Sequence, residues 1–337
     1  MDTKKYFPSV EAIDKASEVL KEILDPTPFM KNNNLSDVYD ANVFLKREDL
    51  QMVRSYKIRG AFNKIRTLEP ELLQKGIVCA SAGNHAQGVA FSCNKLQIVG
   101  SIFMPTTTPK QKIEQVRMFG KEFIEIVLTG DTFDAANAAA IAYAQESGRT
   151  FIPPFDDPKV MEGQGTIGKE ILSQTPVKLD YVFVPIGGGG LASGLGAYFK
   201  QMCPETKIIG VEPGGAPCMK AAIEAGETVR LEHIDKFVDG AAVQKAGALT
   251  YEVCKDVLDD IVVVPEGAVC TTIIQMYNKS AIVVEPAGAL ASAALRFYAD
   301  KIKGKNVDCV VSGSNNDITR MEEIREKSLL YEGLKHY

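Results

Sequence analysis

YVFVPIGGGGLASGLGAYFKQM, residues 181–202, contains in order the three parts of a βα unit. Residues 181–186 form a short β-rich run, four consecutive glycines follow, and residues 191–202 have helical spacing. The same order of strand, corner and helix recurs along the chain. Repetition of this kind predicts parallel sheets that are covered by helices on both faces.

Further units extend in both directions from that stretch. The other strands are predicted at residues 42–46, 76–80, 98–104, 122–127, 207–211, 261–264 and 308–312. The other helices are predicted at residues 9–24, 84–95, 109–119, 132–146, 268–279 and 287–301. There are too many strands for one small sheet. We therefore expect an α/β fold with two lobes, each built on an open, mostly parallel twisted sheet with helices on both faces.

The Pro-rich stretch IPPFDDP at residues 152–158 is the best internal boundary. We expect a small lobe at about residues 50–152 and a large lobe that combines residues 1–49 with 153–320. The remaining residues, 321–337, are strongly charged and show no packing partner in the sequence.

Composition excludes several classes of protein. The chain has 337 residues, 45% of them hydrophobic and 24% charged, as in ordinary globular proteins. Its net charge of −5 argues against a general nucleic-acid binder, and no apolar run approaches the ~18 residues of a membrane span. The N-terminus has no apolar signal region, and the seven cysteines are scattered without a CxxC pair. We therefore expect a cytoplasmic protein, and the widely spaced histidines disfavour a metal site.

Lys57 has unusual neighbours in the stretch RSYKIRG, residues 54–60. Two cations, Arg54 and Arg59, would help to hold the amine partly neutral, and an amine must be neutral to attack a carbonyl. The alternative interpretation is a solvated basic start of a helix.

Three predicted strands end in corners rich in glycine or serine, and we expect a helix after each corner. The corners are SAGNH at residues 81–85, GGGGL at 187–191 and SGSNN at 312–316. Ligands of open α/β sheets bind at the carboxyl ends of strands, so we expect the three corners to face the same cleft.

The four glycines can present several N–H groups at the start of a helix, which predicts a phosphate-binding corner. A tight βα turn is the structural alternative, and a P-loop is excluded because no Lys-Ser/Thr follows. Gly187, Gly189 and Ala192 also satisfy G-x-G-x-x-A, and Glu212 ends the next strand. An NAD-binding oxidoreductase is therefore an alternative, but it leaves Lys57 and Asn84 without a function.

The corner at residues 81–85 offers N–H groups, a hydroxyl and an amide, which suit a carboxylate or a phenolic oxygen. The alternative interpretation is that Ser81 and Asn84 only cap the following helix.

Four motifs in this order resemble the fold type II (tryptophan synthase β-like) pyridoxal phosphate enzymes, and among them the catalytic domain of the threonine dehydratases. They are SYKIRGA at residues 55–61, SAGNHAQG at 81–88, GGGGL at 187–191 and SGSNND at 312–317. The resemblance covers essentially residues 10–335.

The resemblance implies a role for each motif. Lys57 would carry pyridoxal 5'-phosphate covalently and act as general base, Tyr56 would pack beside its ring, and Ser312 would face its pyridine nitrogen. Asn84 would bind the ring 3-oxygen. The phosphate would be held by Gly187, Gly188, Gly189, Gly190 and Leu191, and the substrate carboxylate by Ser81, Ala82, Asn84 and His85.

The implied reaction is conversion of L-threonine to 2-oxobutyrate and ammonia by elimination of water, with L-serine as a second substrate. A neutral Ser312 would leave the pyridine nitrogen unprotonated, which favours elimination over transamination. The family further implies a role in isoleucine biosynthesis and a homodimer or homotetramer. A serine dehydratase of the same fold is a related alternative.

Departures from relatives refine these expectations. Serine racemases carry a second serine where Ala82 stands, so two-base racemisation is disfavoured. Their metal site has an aspartate where this chain has Cys218, although Glu212 and Ala216 are retained, so we expect no metal. Longer threonine dehydratases continue past residues 321–337 into an isoleucine-binding domain, which suggests that such a domain is absent here.

Overall fold

The computed structural model describes residues 6–335, in which strands and helices alternate along the chain. The strands are β1 Phe29–Lys31, β2 Asn42–Arg47, β3 Ile77–Ala80, β4 Gly100–Met104, β5 Ile124–Leu128, β6 Thr150–Phe151, β7 Tyr181–Pro185, β8 Lys207–Pro213, β9 Asp260–Val264 and β10 Asn306–Val311. The helices are α1 Val10–Leu20, α2 Asn33–Tyr39, α3 Lys57–Arg66, α4 Pro70–Lys75, α5 Asn84–Leu96, α6 Lys110–Gly120, α7 Phe133–Ser147, α8 Pro158–Gln174, α9 Gly190–Met202, α10 Cys218–Ala225, α11 Ala248–Val257, α12 Glu266–Ser280, α13 Pro286–Ile302 and α14 Met321–Tyr331. Each predicted strand and helix is present, with ends that differ by a few residues.

The strands form two sheets. The larger sheet has the order β1-β2-β10-β7-β8-β9, and the smaller has the order β5-β4-β3-β6. Neighbouring strands are parallel except at the edge of the larger sheet, where β1 runs antiparallel to β2. The predicted α/β class with two mostly parallel sheets is confirmed. The exact limits of the two lobes stay a prediction, and all strands from residue 77 to residue 151 lie in the smaller sheet.

Helices cover both faces of each sheet because successive side chains of a strand point to opposite faces. Phe183 of β7 belongs to the same buried cluster as Leu290 of α13. Val182 and Val184 belong instead to the cluster that contains Leu195 of α9. Strand β3 divides its side chains in the same way between α5 and α7. Burial on both faces explains why these strands are almost continuously apolar in sequence.

Helix α8 was not predicted, and it begins inside the Pro-rich stretch that we interpreted as a boundary. Asp157 caps it by accepting the N–H groups of Lys159 and Val160. Pro158 occupies the first helical position, where the missing N–H costs nothing because that donor has no partner within a helix. The stretch is therefore the start of a helix as well as the end of the smaller sheet.

Two glycines bring α8 to backbone distance from α3 and α9. A Cβ atom on Gly163 of α8 would lie 2.7 Å from the carbonyl oxygen of Arg59 in α3. A Cβ atom on Gly194 of α9 would collide with the carbonyl oxygen of Met161 in α8. Only glycine fits at such approaches. The helix that begins at Lys57 and the helix that follows the glycine corner are therefore both packed directly against α8.

Helix α14 gives the charged C-terminal segment a packing partner. Ile324 is completely buried, and the Ser328 hydroxyl oxygen lies 2.9 Å from that of Thr271 in α12. The expectation of an unpartnered segment is thus wrong for residues 321–335, while residues 336 and 337 lie outside the described residues. Within residues 6–335, no helix has the length and apolarity required to cross a lipid bilayer.

A buried ion network fixes α3 to the end of β2 and to α8. The guanidinium of Arg59, 1% exposed, donates to both oxygens of Glu48 at 2.8 Å and to those of Glu170 at 2.6 and 2.9 Å. Lys46 joins Glu170 from β2 at 2.5 Å. Burial raises the pKa of Glu48, but the charge and hydrogen bonds of Arg59, the charge of Lys46 and the hydroxyl of Thr27 together outweigh it and lower that pKa to about 2. The two basic side chains of the network are thus matched by two acidic ones.

Replacing Arg59 with methionine should lower the free energy of unfolding by about 3–5 kcal/mol, because Glu48 and Glu170 would remain buried without their main partner. Denaturant unfolding followed by circular dichroism measures the change. Arg66→Met in the same helix is the matched control, since its ion pair with Glu22 is 44% exposed on both sides. It should cost less than about 1 kcal/mol, and an equal loss in both variants would contradict this assignment.

Candidate active site

Lys57 is the first residue of α3, and main-chain hydrogen bonds hold it in place. Its Nζ donates to the carbonyl oxygen of Pro154 at 2.7 Å and lies 5.5 Å from the centre of the Tyr56 ring. The N–H of Tyr56 donates to the carbonyl oxygen of Ser312, just after β10, at 3.1 Å. The lysine is thereby tied to the larger sheet on one side and to the segment before α8 on the other.

Burial lowers the pKa of Lys57 to about 8, and the nearby carboxyl of Glu285 acts in the opposite direction. We predicted a partly neutral amine, but the proposed cause, the charges of Arg54 and Arg59, is wrong. The guanidinium of Arg59 is bonded to the carboxylates of the buried network instead. An amine with a lowered pKa can serve as nucleophile and as base near neutral pH.

The three corners meet at one pocket, as the sequence predicted. Its walls include Lys57 at the start of α3 and Tyr56 just before it, Asn84 from the corner after β3, Gly187 from the corner after β7, and Ser312 after β10. Parallel strands of both sheets thus direct their carboxyl ends to the same place.

The glycine corner turns its carbonyl oxygens into the protein. The hydroxyl of Thr250 donates to the oxygen of Gly188 at 2.6 Å, and the N–H of Ser193 donates to the oxygen of Gly189 at 2.9 Å. Gly189 has a φ of +95°, and a Cβ atom on Gly188 would collide with the ring of Phe155. Side chains larger than hydrogen therefore do not fit. The N–H groups of the corner and of the first turn of α9 are left as donors for an anion.

The corner after β3 leads into α5 without a capping side chain. The N-cap residue is Gly83, so the alternative that Ser81 and Asn84 cap the helix is wrong. The Ser81 hydroxyl accepts the N–H of Gly83 at 3.2 Å instead. The first N–H groups of α5, which follow Ala82 and include that of His85, receive no cap and can bind a carboxylate.

The imidazole of His85 is neutral. It is 3% exposed, and its Nε2 lies 2.9 Å from the carbonyl oxygen of Ile152. Burial, followed by the charge of Lys57, lowers the pKa of His85 to about 3. A ligand at this corner therefore meets the main chain of His85 rather than a charged ring.

The amide of Asn84 is held at both ends. Asn315 donates its Nδ2 to Asn84 Oδ1 at 2.7 Å, and Asn84 Nδ2 donates to Glu285 Oε1 at 2.6 Å. Nearby, the hydroxyl of Ser312 donates to the carbonyl oxygen of Ala287 at 3.2 Å, and this serine is 2% exposed. Both polar side chains that we predicted at the pocket are therefore in place.

Sequence reasoning missed four contacts of the pocket. Pro154 and Phe155 lie in the stretch that we used only as a boundary. Asn315 belongs to the motif that contains Ser312, but its target was not evident. Glu285 precedes Pro286 at the start of α13, and an acidic residue followed by proline after an apolar run is a signal that could have revealed it.

Glu212 has a structural role that does not suit a dinucleotide site. It is completely buried at the end of β8, and its two oxygens accept the N–H groups of Met219 and Lys220 at 2.7 and 2.9 Å. Its carboxylate therefore binds the first turn of α10 and is not directed at a ribose. Cys218 donates its Sγ to the oxygen of Gly187 at 3.4 Å. The absence of a metal stays a prediction.

The chain is similar to proteins of known function. A family model described as pyridoxal-phosphate dependent enzyme matches residues 20–313. The biosynthetic L-threonine dehydratase IlvA of Halalkalibacterium halodurans is 57% identical over 328 residues, which cover 97% of this chain and 79% of that protein. The enzyme of the same name from Bacillus subtilis is 56% identical over 328 residues, covering 97% and 78%.

The chain is also similar to proteins of known structure. The processed form of threonine deaminase isoform 2 from Solanum lycopersicum superposes with a TM-score of 0.90 at 39% identity, covering 96% of each chain. Maize serine racemase superposes with a TM-score of 0.88 at 30% identity, covering 97% of this chain and all of that one.

The residues of the pocket fit pyridoxal phosphate. The molecule has an aldehyde, a phosphate, a phenolic oxygen and a ring nitrogen. The pocket offers a partly neutral amine, a corner of N–H donors narrowed by Phe155, an oriented amide and a neutral hydroxyl. Each polar group of the cofactor thus has a partner of matching chemistry.

In the cofactor-free protein, the pKa of Lys57 should be about 8, well below that of an ordinary lysine, because burial disfavours its charged form. The rate at which it reacts with a small amine-directed reagent, followed by peptide mass spectrometry across pH, gives the midpoint. Exposed lysines in the same digest provide the reference. A Lys57 midpoint equal to theirs would contradict the structure.

Proposed function

The chain belongs to the pyridoxal-phosphate dependent enzymes, and on that premise we propose that it is an L-threonine ammonia-lyase. Its reaction is the elimination of water from L-threonine, which yields 2-oxobutyrate and ammonia, and L-serine is a second substrate. The observation that carries the proposal is the placement of a partly neutral Lys57 between an anion-binding glycine corner and the uncapped start of α5. The names of relatives at 57% and 56% identity support the choice of substrate.

The cofactor is held by the groups that the sequence predicted. Lys57 would attach it, and Tyr56, beside which Lys57 lies, would pack against its ring. Asn84 would donate to its ring oxygen, and Ser312 would face its ring nitrogen. Its phosphate would be bound by the N–H groups of Gly187, Gly188, Gly189, Gly190 and Leu191. When bound, pyridoxal phosphate supplies a carbonyl for amine attachment and a conjugated ring that accepts the electrons left when a proton departs.

Lys57 is the general base. Its Nζ takes the α-proton of the substrate, and its lowered pKa keeps part of the amine neutral at physiological pH. The carbonyl oxygen of Pro154 accepts a hydrogen bond from the same nitrogen, so it orients the neutral amine and stabilises the ammonium form that results. The buried surroundings of Lys57 thus set both the position of the base and its protonation.

The substrate carboxylate is bound at the corner after β3. Its hydrogen-bond donors are mainly main-chain N–H groups at the start of α5, in the segment that contains Ser81, Ala82, Asn84 and His85. The neutral ring of His85 adds no charge.

Ser312 directs the outcome towards elimination. Its hydroxyl, which donates to the oxygen of Ala287 in the structure, would turn to donate to an unprotonated ring nitrogen, and it carries no charge that would keep that nitrogen protonated. A weaker electron sink favours rapid loss of the β-hydroxyl over transamination.

Serine racemisation is the second candidate, because maize serine racemase superposes over 97% of this chain. Removal of a proton from one face and its return on the other requires a second acid/base group. Ala82 is the residue of this chain at the position of the second serine of racemases, and a methyl group transfers no proton. The absence of that hydroxyl supports elimination.

The names of relatives support part of the physiological setting. We place the enzyme in the cytoplasm and in isoleucine biosynthesis, and the word biosynthetic in the names of its relatives supports a biosynthetic role. It forms a homodimer or homotetramer, which gel filtration with light scattering tests. The catalytic lobes are residues 50–152 and the remainder up to 320.

Lys57→Ala should reduce turnover of L-threonine by at least roughly 1,000-fold, because cofactor attachment and the general base are lost together. Production of 2-oxobutyrate measures turnover, and borohydride should fix the cofactor to Lys57 in the unmodified protein. Lys110→Ala is the control, since that side chain is 90% exposed on the surface. A colourless wild-type protein that takes up no pyridoxal phosphate would refute the proposal.

With L-serine as substrate, the wild-type enzyme should release pyruvate while the remaining serine stays in the L form. Chiral chromatography of the unreacted serine measures this. Ala82→Ser restores a hydroxyl at that position, and it should increase the ratio of D-serine to pyruvate. Substantial D-serine from the wild-type enzyme would contradict the argument from Ala82.

A further inference from the structure

The carboxyl of Glu285 is buried in the pocket wall, where Lys57 is a nearby cation but not an ion-pair partner. The residue is 4% exposed, and among residues 6–335 it forms no ion pair. Its Oε1 lies against Gly240 and Gly313, which have no side chains to shield it. Burial of a carboxyl group without a charged partner is costly, so its remaining contacts indicate what it does.

The carboxyl of Glu285 accepts hydrogen bonds from the side chain of Asn84 and from the main chain of Asn315. A side-chain amide has two N–H donors and one oxygen, and Asn84 Nδ2 gives one of these donors to Glu285 Oε1 at 2.6 Å. Asn315 donates to Asn84 Oδ1 at 2.7 Å and is itself held by the carbonyl oxygen of Val53 at 2.9 Å. The opposite rotation of the Asn84 amide would place oxygen against oxygen and NH₂ against NH₂. Glu285 and Asn315 together therefore permit one orientation.

We propose that Glu285 is a positioning residue that acts through Asn84: it takes one amide hydrogen of Asn84 and so leaves the other for the ring oxygen of the cofactor. This inference rests on the proposed function, in which Asn84 binds that oxygen. It extends the function by assigning a role to an acid 201 residues away in sequence from the amide that it orients.

The charges around Glu285 are compatible with this role in either protonation state. Burial, followed by the charge of Asp239, raises the pKa of Glu285 to about 7, while the bond from Asn84 opposes the rise. Asp239 is paired with Lys112 of α6 at 2.6 Å, and Lys57 faces Glu285 across the pocket. A carboxylate and the carbonyl oxygen of a neutral carboxyl group both accept a hydrogen bond, so Asn84 stays oriented across neutral pH.

Variants of equal shape separate the hydrogen bond from packing. Glu285→Gln keeps an acceptor oxygen, whereas Glu285→Met has similar volume and no acceptor for an amide. The dissociation constant of pyridoxal phosphate, measured by absorbance titration of resolved protein, should rise roughly tenfold for E285M and less than about threefold for E285Q. Glu162→Gln is the matched control, because Glu162 is also 4% exposed but contacts Tyr6 and Lys159. It should not change cofactor affinity.

A double-mutant cycle tests whether the effect passes through Asn84. In the absence of Asn84, Glu285 has nothing to orient, so E285M combined with Asn84→Ala should bind the cofactor as Asn84→Ala does, within about twofold. The inference would be overturned if the two single losses of cofactor affinity multiplied in the double variant. It would also be overturned if E285M bound the cofactor as tightly as the wild type. If E285M does not fold, Glu285→Ala takes its place with the same expectation. Wild-type protein without cofactor binding or threonine turnover would refute the proposed function itself, whereas unaffected E285M would leave that function intact.

Discussion

The position of Lys57 depends on the guanidinium of Arg59, two residues further along α3. Lys57 lies at the end of its helix, and the helix is fixed because Arg59 is bonded to carboxylates of two other elements. Glu48 follows β2 of the larger sheet, while Glu170 belongs to α8, which packs on α9 behind the glycine corner. One buried cation thus sets the distance between the amine and the corner where an anion binds. An ion pair in this position makes the structure sensitive to substitution, because removal of either partner leaves the other charge buried and unpaired.

Burial also sets the protonation of the groups in the pocket. The amine of Lys57, the imidazole of His85 and the carboxyl of Glu285 are all shifted towards their neutral forms, and burial is the largest cause in each case. The charge of the cofactor phosphate would therefore enter a space whose own ionisable groups are shifted towards their neutral forms. An enzyme that relies on an amine to remove a proton benefits from such surroundings, since a fixed anion beside Lys57 would keep it protonated.

Much of the fold was predictable because both faces of the central strands are buried. Val182, Phe183 and Val184 form a continuous apolar run for that reason, and such runs are visible in sequence. Lys57, Asn84, the four glycines and Ser312 were recognisable because the ends of parallel strands converge. Helix α8 was missed because it begins in prolines and contains glycines at its contacts with α3 and α9, which remove the usual helical signal. The relation of Glu285 to Asn84 depends on tertiary structure, and local patterns carry no information about partners so distant in sequence.

The absence of side chains at Gly163 and Gly194 has a mechanical consequence. Where backbones touch directly, no rotamer can adjust to a displacement, so α3, α8 and α9 behave as a single stiff body. A displacement of one sheet relative to the other would then have to be accommodated elsewhere, at contacts made by long, flexible side chains. The ion pair of Lys112 with Asp239 joins α6, beside the smaller sheet, to the loop that carries Gly240 into the pocket. Both side chains are partly exposed, so this contact can adjust to such a displacement without a change in the separation of the amine and the glycine corner.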